Sequence, residues 1–138
     1  MELKTIATHH VPVSYYDVGS GPVMVYLHGA GGVQADDPFL AAAARRYRVV
    51  APLLPGYGPS QECETLRTML DITLHTADVL DALGLKDPIL VGHSLGGMIA
   101  AEMAAIAPHS VSRLGLMAPA GLWLPEHPVT RRLSTWGS

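Results

Sequence analysis

The chain has 138 residues and a formal charge of −3 with its histidines neutral, so it carries neither a basic footprint for nucleic acid nor a polybasic patch for a membrane surface. Apolar residues make up 49% and charged ones 15%, with a mean hydropathy of +0.25, a balance suited to one domain whose sheet is covered by helices on both faces. The lone cysteine, Cys63, excludes a disulfide framework, and its polar setting, Gln61-Glu62-Cys63-Glu64, reads as that of a bystander.

In chain order, Met1-Glu2-Leu3-Lys4 lacks the charged-then-apolar pattern of a secretory leader, and no apolar run reaches the length of a membrane span, so the cytoplasm is the expected location. Thr5 to His10 and Val13 to Val18 read as strands separated by a turn at Pro12, with His9 and His10 on alternate faces of the first. Turn chemistry from Asp17 to Pro22 closes the second, and Val23 to Leu27 is a third strand. Phe39 to Arg46 predicts a short helix and Tyr47 to Ala51 a fourth strand. Thr65 to Leu83 predicts a longer helix ending at Gly84, with Leu66, Leu70, Leu74 and Ala77 at helical spacing and His75 on its surface. Pro88 to Val91 is a fifth strand, Leu95 to Ala107 a small apolar helix with Met98 and Met103 in the core, and Arg113 to Met117 a sixth strand. Strands alternating with helices from residue 23 onward predict an α/β fold with a doubly wound, mostly parallel sheet, truncated after about the sixth strand. Residues 1–121 form this body, and residues 122–138, with Pro125, Pro128 and Gly137, read as a poorly ordered tail or the start of an incomplete cap.

The chemistry concentrates at Gly92-His93-Ser94-Leu95-Gly96, which is G-x-S-x-G after an apolar strand and before a helix. That context is the one a nucleophile elbow needs. A tight strand-to-helix turn lifts serine clear of the sheet and brings backbone segments close, so Gly92 and Gly96 stand where a Cβ would clash. His93 is expected to point away from Ser94, into packing under the turn. The helix start supplies free N–H groups and a positive dipole end, so the Leu95 N–H can face an oxyanion formed on attack by Ser94.

His28-Gly29-Ala30-Gly31-Gly32 follows the third strand. A glycine-rich loop there can turn N–H groups toward developing negative charge; Ala30 is the expected second oxyanion donor, with Gly29 and Gly31 as fallback positions and His28 bracing the loop. The run Gly29-Ala30-Gly31-Gly32-Val33-Gln34 approaches the dinucleotide pattern G-x-G-x-x-G, but Gln34 stands in place of the third glycine and the acid due about 20 residues later is missing.

With these residues in view, the chain resembles the N-terminal half of an α/β-hydrolase. The resemblance rests on Tyr15 to Pro22, His28-Gly29, Val49 to Ser60, Gly92 to Gly97 and Leu116 to Trp123, in the family's order and at its spacing, and spans about residues 4 to 125. The turn Pro55-Gly56-Tyr57-Gly58-Pro59-Ser60 narrows it toward the esterase, C–C hydrolase, lactonase and haloperoxidase-like members. One departure is Leu53, where many relatives carry aspartate. The resemblance implies a serine hydrolase acting on an ester, thioester, lactone or activated C–C bond of a small molecule through an acyl-enzyme on Ser94, with no cofactor and no metal. Serine at the elbow argues against the branches that attack with a carboxylate. Acyl transfer differs only in the acceptor. Tyr57, Trp123 and Leu124 could line a pocket, though each is more often plain packing.

The family's triad runs serine, then acid, then histidine. After Ser94 come Glu102, roughly 12 Å along the same helix, and His109 toward its opposite end; Glu126 and His127 are adjacent, a poor arrangement for an acid that must hold a histidine facing serine. The resemblance therefore leaves the base and its orienting acid unassigned, and the sixth strand as an apolar edge open to self-association. The rival reading is a truncated, non-catalytic domain that binds a partner or ligand.

Overall fold

The computed structural model describes residues 1–60, 63–121 and 125. Its elements run β1 (Leu3–Ile6), β2 (Val13–Val18), β3 (Val23–Leu27), α1 (Pro38–Ala43), β4 (Arg48–Pro52), α2 (Met69–Ala82), β5 (Ile89–His93), α3 (Leu95–Ile106) and β6 (Arg113–Met117). The six strands form one sheet in the order β1-β2-β4-β3-β5-β6. β1 and β2 are antiparallel to their neighbours, and the other pairs are parallel. The doubly wound architecture expected from the sequence is thus present, preceded by the antiparallel pair β1-β2.

Alternation along the central strands builds two cores. Val25, Leu27, Val50 and Leu90 face one way and pack with Leu80 of α2 and Ile99, Ala100 and Met103 of α3. Met24, Tyr26, Val49, Ala51 and Val91 face the other and pack with Leu40 of α1. Burial on both faces is why these strands read as unbroken apolar runs. β6 closes the described sheet with an uncovered flank: Leu114 and Leu116 are 41% and 39% exposed.

Three expectations need correction. β1 is shorter and earlier than expected, so His9 and His10 lie in the bend before β2 rather than on a strand. α2 starts four residues late because Thr68 and Asp71 form a reciprocal capping box that fixes its first turn. Its inward face is Thr73, His75, Thr76, Val79 and Leu80, while Leu70 and Leu74 are 48% and 53% exposed. The threonines tolerate burial because their hydroxyls donate back to the Met69 and Ile72 carbonyls. His75, expected on the surface, is therefore in the interior.

Candidate active site

In the order β4-β3-β5-β6, the chain leaves β3 toward one side of the sheet and β5 toward the other. The crevice beyond the carboxyl ends of β3 and β5 is the switch point at which doubly wound sheets bind ligands. His28 to Gly32 leave β3 there, and Ser94 leaves β5 there.

Ser94 is the N-cap of α3 and holds φ +53°, ψ −113°. A non-glycine residue in such a conformation costs about 1–3 kcal/mol and persists only when its surroundings over-determine it. Here they do. The Ser94 N–H donates to the Met117 carbonyl at 3.0 Å, and its own carbonyl accepts from Met98 at 3.1 Å and Ala120 at 2.9 Å. A Cβ on Gly92 would lie 2.7 Å from Gly97 Cα and against the Gly96 carbonyl. One on Gly96 would strike the Leu27 carbonyl and lie 2.6 Å from that of His28. The turn is therefore pressed onto the end of β3. Gly97, which the motif alone did not single out, is needed too, because a Cβ there would lie 2.8 Å from Pro119. Its signal was the second glycine of Gly96-Gly97.

The loop after β3 touches the serine. A Cβ on Gly29 would sit 3.2 Å from both Ser94 Cβ and His93 Nδ1. His28 is fully buried; its Nε2 accepts from the Leu54 N–H at 2.9 Å, and its Nδ1 lies 2.6 Å from the Gly29 carbonyl. Since Nε2 accepts, the proton must sit on Nδ1 and be donated to Gly29. Burial pulls this imidazole below its ordinary value, with the Gly29 bond opposing. Tyr57 packs edge-on against the ring at 4.6 Å. His28 thus hydrogen-bonds the loop after β3 and the loop after β4, and both its ring nitrogens are engaged. Ala30 is exposed, and its N–H has no hydrogen-bond partner among the described residues. Leu95 opens α3, so its N–H has no acceptor within the helix. Gly31 is open: a Cβ there would meet nothing within 4 Å.

His93 departs from expectation. It is exposed rather than packed beneath the turn. Alternation along β5 explains this: Val91 and His93 share a face, and that face is covered at Val91 but open at the strand's end. Glu102 lies on α3 and His109 in the short 3₁₀ turn Pro108–Ser110 beyond its far end, so neither is brought to Ser94. Trp123, Leu124, Glu126 and His127, with most of the expected tail 122–138, lie outside the described residues. Among the described residues no group of three or more His, Cys, Asp or Glu is placed to hold a metal ion, and no helix is long and apolar enough to cross a membrane.

Fold and site together define the class: a doubly wound α/β protein with a serine raised at the carboxyl end of its central sheet, facing a glycine-rich loop. The chain belongs to the alpha/beta hydrolase fold family, whose model matches residues 22–135. It is 35% identical to the 2-hydroxymuconate semialdehyde hydrolase of Pseudomonas sp. (strain CF600), across 97% of this chain and 48% of that protein. Among solved structures, it is similar to the meta-cleavage product hydrolase of Pseudomonas fluorescens IP01, with a TM-score of 0.78 and 30% identity over 88% of this chain and 47% of that one. The naproxen esterase of Bacillus subtilis matches with a TM-score of 0.81 and 26% identity over 90% of this chain and 45% of that one. The chain spans about half the length of these relatives.

Proposed function

We propose that this chain carries the nucleophile and oxyanion hole of a serine hydrolase acting on a small carbonyl substrate, an ester or a C–C bond beside a carbonyl. The observation that carries the reading is Ser94 at φ +53° between β5 and α3, with Gly29 against its side chain. Ser94 Oγ attacks the substrate carbonyl, and its proton passes to a general base. The tetrahedral oxyanion accepts hydrogen bonds from the Leu95 and Ala30 N–H groups, donors fixed before the reaction and so free of reorganisation cost. The leaving group departs with a proton, an acyl-enzyme remains on Ser94, and water releases it as the acid. The base and its orienting acid are not assigned among the described residues. Residues 1–121 are the catalytic body in this reading. The named activities of the relatives support the substrate class, and the single cysteine is in keeping with a reducing cytoplasm. The open flank of β6, with Leu114 and Leu116, is proposed to mediate self-association, which sizing at several concentrations tests.

Fluorophosphonate labelling of the purified chain against Ser94→Ala tests the catalytic reading. Labelling that the variant abolishes supports it. A folded chain that does not label supports the second reading, a non-catalytic binding domain, which the absence of a side-chain capping hydrogen bond at Ser94 and the distant placement of Glu102 and His109 favour.

A further inference from the structure

His75 lies in the interior, 2% exposed, yet neither ring nitrogen has a hydrogen-bond partner among the described residues. The bend 7–12 between β1 and β2 closes over it. Asp78, three residues along α2, accepts from the His9 N–H at 3.0 Å and lies 3.3 Å from His9 Nε2. Within the bend the Thr8 hydroxyl donates to the Val11 carbonyl at 2.7 Å and accepts from the His10 N–H at 3.1 Å. So tethered, the bend sets the His10 ring edge-on against His75 at 5.4 Å. We propose that His75 is an acid-operated release for this bend, which stays closed over α2 while the ring is neutral and lifts when the ring takes up a second proton.

An imidazolium has two N–H donors and no lone pair. Held in the closed form, His75 would leave both donors unpaired and its charge desolvated, which a protein interior does not tolerate without a partner. The charged ring must therefore reach water, and the wall that yields is the weakest one. The other walls are Val13 of β2, the loop 52–55 and α2 itself, none of which presents a charge to the cavity. The loop is pinned, because the Leu53 N–H donates to the Ser14 carbonyl at 2.8 Å and the Leu54 N–H to His28 Nε2 at 2.9 Å. The bend, mostly exposed, is held by its own turn and the Asp78 tether. Two charges act on the ring among the described residues: His10 opposes its protonation and Asp78 favours it. Asp71 acts on His10, and Glu102 of α3 does not bear on His75. Asp78 does not rescue the closed form, since both its oxygens face His9. Protonating His9 would tighten that pair, but its side chain is 88% exposed and solvent screening keeps the gain small. Burial holds the closed ring below the ordinary imidazole value of 6.5, so closure is fully stable above pH 6.5 and weakens as pH falls below it.

The release is independent of any chemistry at Ser94. The His9 amide reports on it directly, because its hydrogen bond to Asp78 exists only in the closed form. Its protection is read in ¹⁵N-labelled chain as the solvent exchange rate relative to that of an unstructured peptide at the same pH. Below pH 6.5 this protection is expected to fall by up to about tenfold per pH unit, the slope of one proton gained on opening. The Val25 and Leu90 amides, in β3 and β5 at the centre of the sheet, should keep their protection over the same range. In His75→Leu the His9 amide should stay protected as the pH falls, since no proton is left to gain at that site. A loss of His9 protection that is undiminished in His75→Leu overturns the proposal, because the histidines of the bend itself would then drive it. A loss shared by Val25 and Leu90 also overturns it, since the whole sheet would be opening. So does an unmutated chain in which the His75 ring titrates while its Overhauser contact with His10 persists, a measurement that needs no variant to fold.

Discussion

His28 and His75 are both interior imidazoles, 0% and 2% exposed, and burial pulls both below their ordinary value. Their surroundings differ completely. His28 has a partner for each ring nitrogen and sits where three loops meet at the carboxyl ends of β3, β4 and β5. His75, on the inner face of α2, has a partner for neither among the described residues. It lines a cavity of about 10 Å³ with Val13, Pro52, Leu53, Leu54 and Pro55, and meets His10 edge-on at 5.4 Å. At the serine end of the sheet the buried imidazole has both its nitrogens placed against backbone groups. The α2 side is built from bulk, and its one buried base is carried at a cost.

The largest effect that sharpens this contrast is at Gly96. Gly96→Ala drives a methyl into the Leu27 backbone carbonyl, which cannot swing aside as a side chain can. We expect a loss of about 3 kcal/mol or more, at the top of the overpacking range. Gly31→Ala, on the glycine-rich loop after β3, meets nothing and is expected to stay within about 0.5 kcal/mol. Urea unfolding of the pair checks both. Equal losses would mean that the turn is not pressed onto β3.

Next comes His28→Leu. Leu54 is buried, and the change strips its N–H of an acceptor, so a loss of about 1–3 kcal/mol is expected, with the Gly29 carbonyl left to Gly32 alone. An unchanged denaturation midpoint would break the comparison at its better-satisfied half.

Much of this was legible in the chain. Residues 23–27 and 113–117 read as strands to the residue, because continuous apolar runs bounded by turn chemistry have few other uses. The serine turn and its glycines were legible because their spacing encodes a steric demand. What misled was α2: Leu66, Leu70 and Leu74 form a stripe at helical spacing, yet the interior took the threonine and histidine face beside it. Spacing identifies a helix but chooses its buried face only through apolar contrast, and threonines that satisfy themselves on their own backbone weaken that contrast. His93 was misassigned for a related reason: the turn was considered, but not the alternation running through Val91 to the strand's open end. The partners of Ser94 were not legible, since a triad is a meeting in space and the candidates in the described chain sit along α3 and beyond it.

A smaller effect of opposite sign is expected at His75. Replacing an unpartnered buried imidazole with leucine of similar bulk should stabilise the chain by about 1 kcal/mol. The pH dependence follows from both histidines being held below 6.5 when folded. The unfolded chain binds protons there before the folded one does, so this contribution is flat above about pH 6.5 and stability falls as pH drops through that value. Each histidine adds up to about 1.4 kcal/mol per pH unit to the slope. Around His75 the charged neighbours are His10, which opposes protonation, and Asp78, which favours it; the β2 and β4 residues lining its cavity carry no charge. His75→Leu should roughly halve the acid slope. An undiminished slope would assign the acid sensitivity elsewhere and remove the reason for contrasting the two rings.

The smallest effect is expected at Leu74, half-exposed on α2 one residue before His75. Leu74→Gln keeps a good helix former and replaces a side chain that is already 53% exposed, so the midpoint should move by no more than about 0.5 kcal/mol. The same substitution at Leu70, one turn earlier and 48% exposed, should behave alike. A loss above about 1 kcal/mol at either, growing with protein concentration, would mean that this stripe is covered in solution by a second copy. The helical leucines would then have been read correctly as buried, but against another chain, and the α2 side would no longer be the loosely determined half of the molecule.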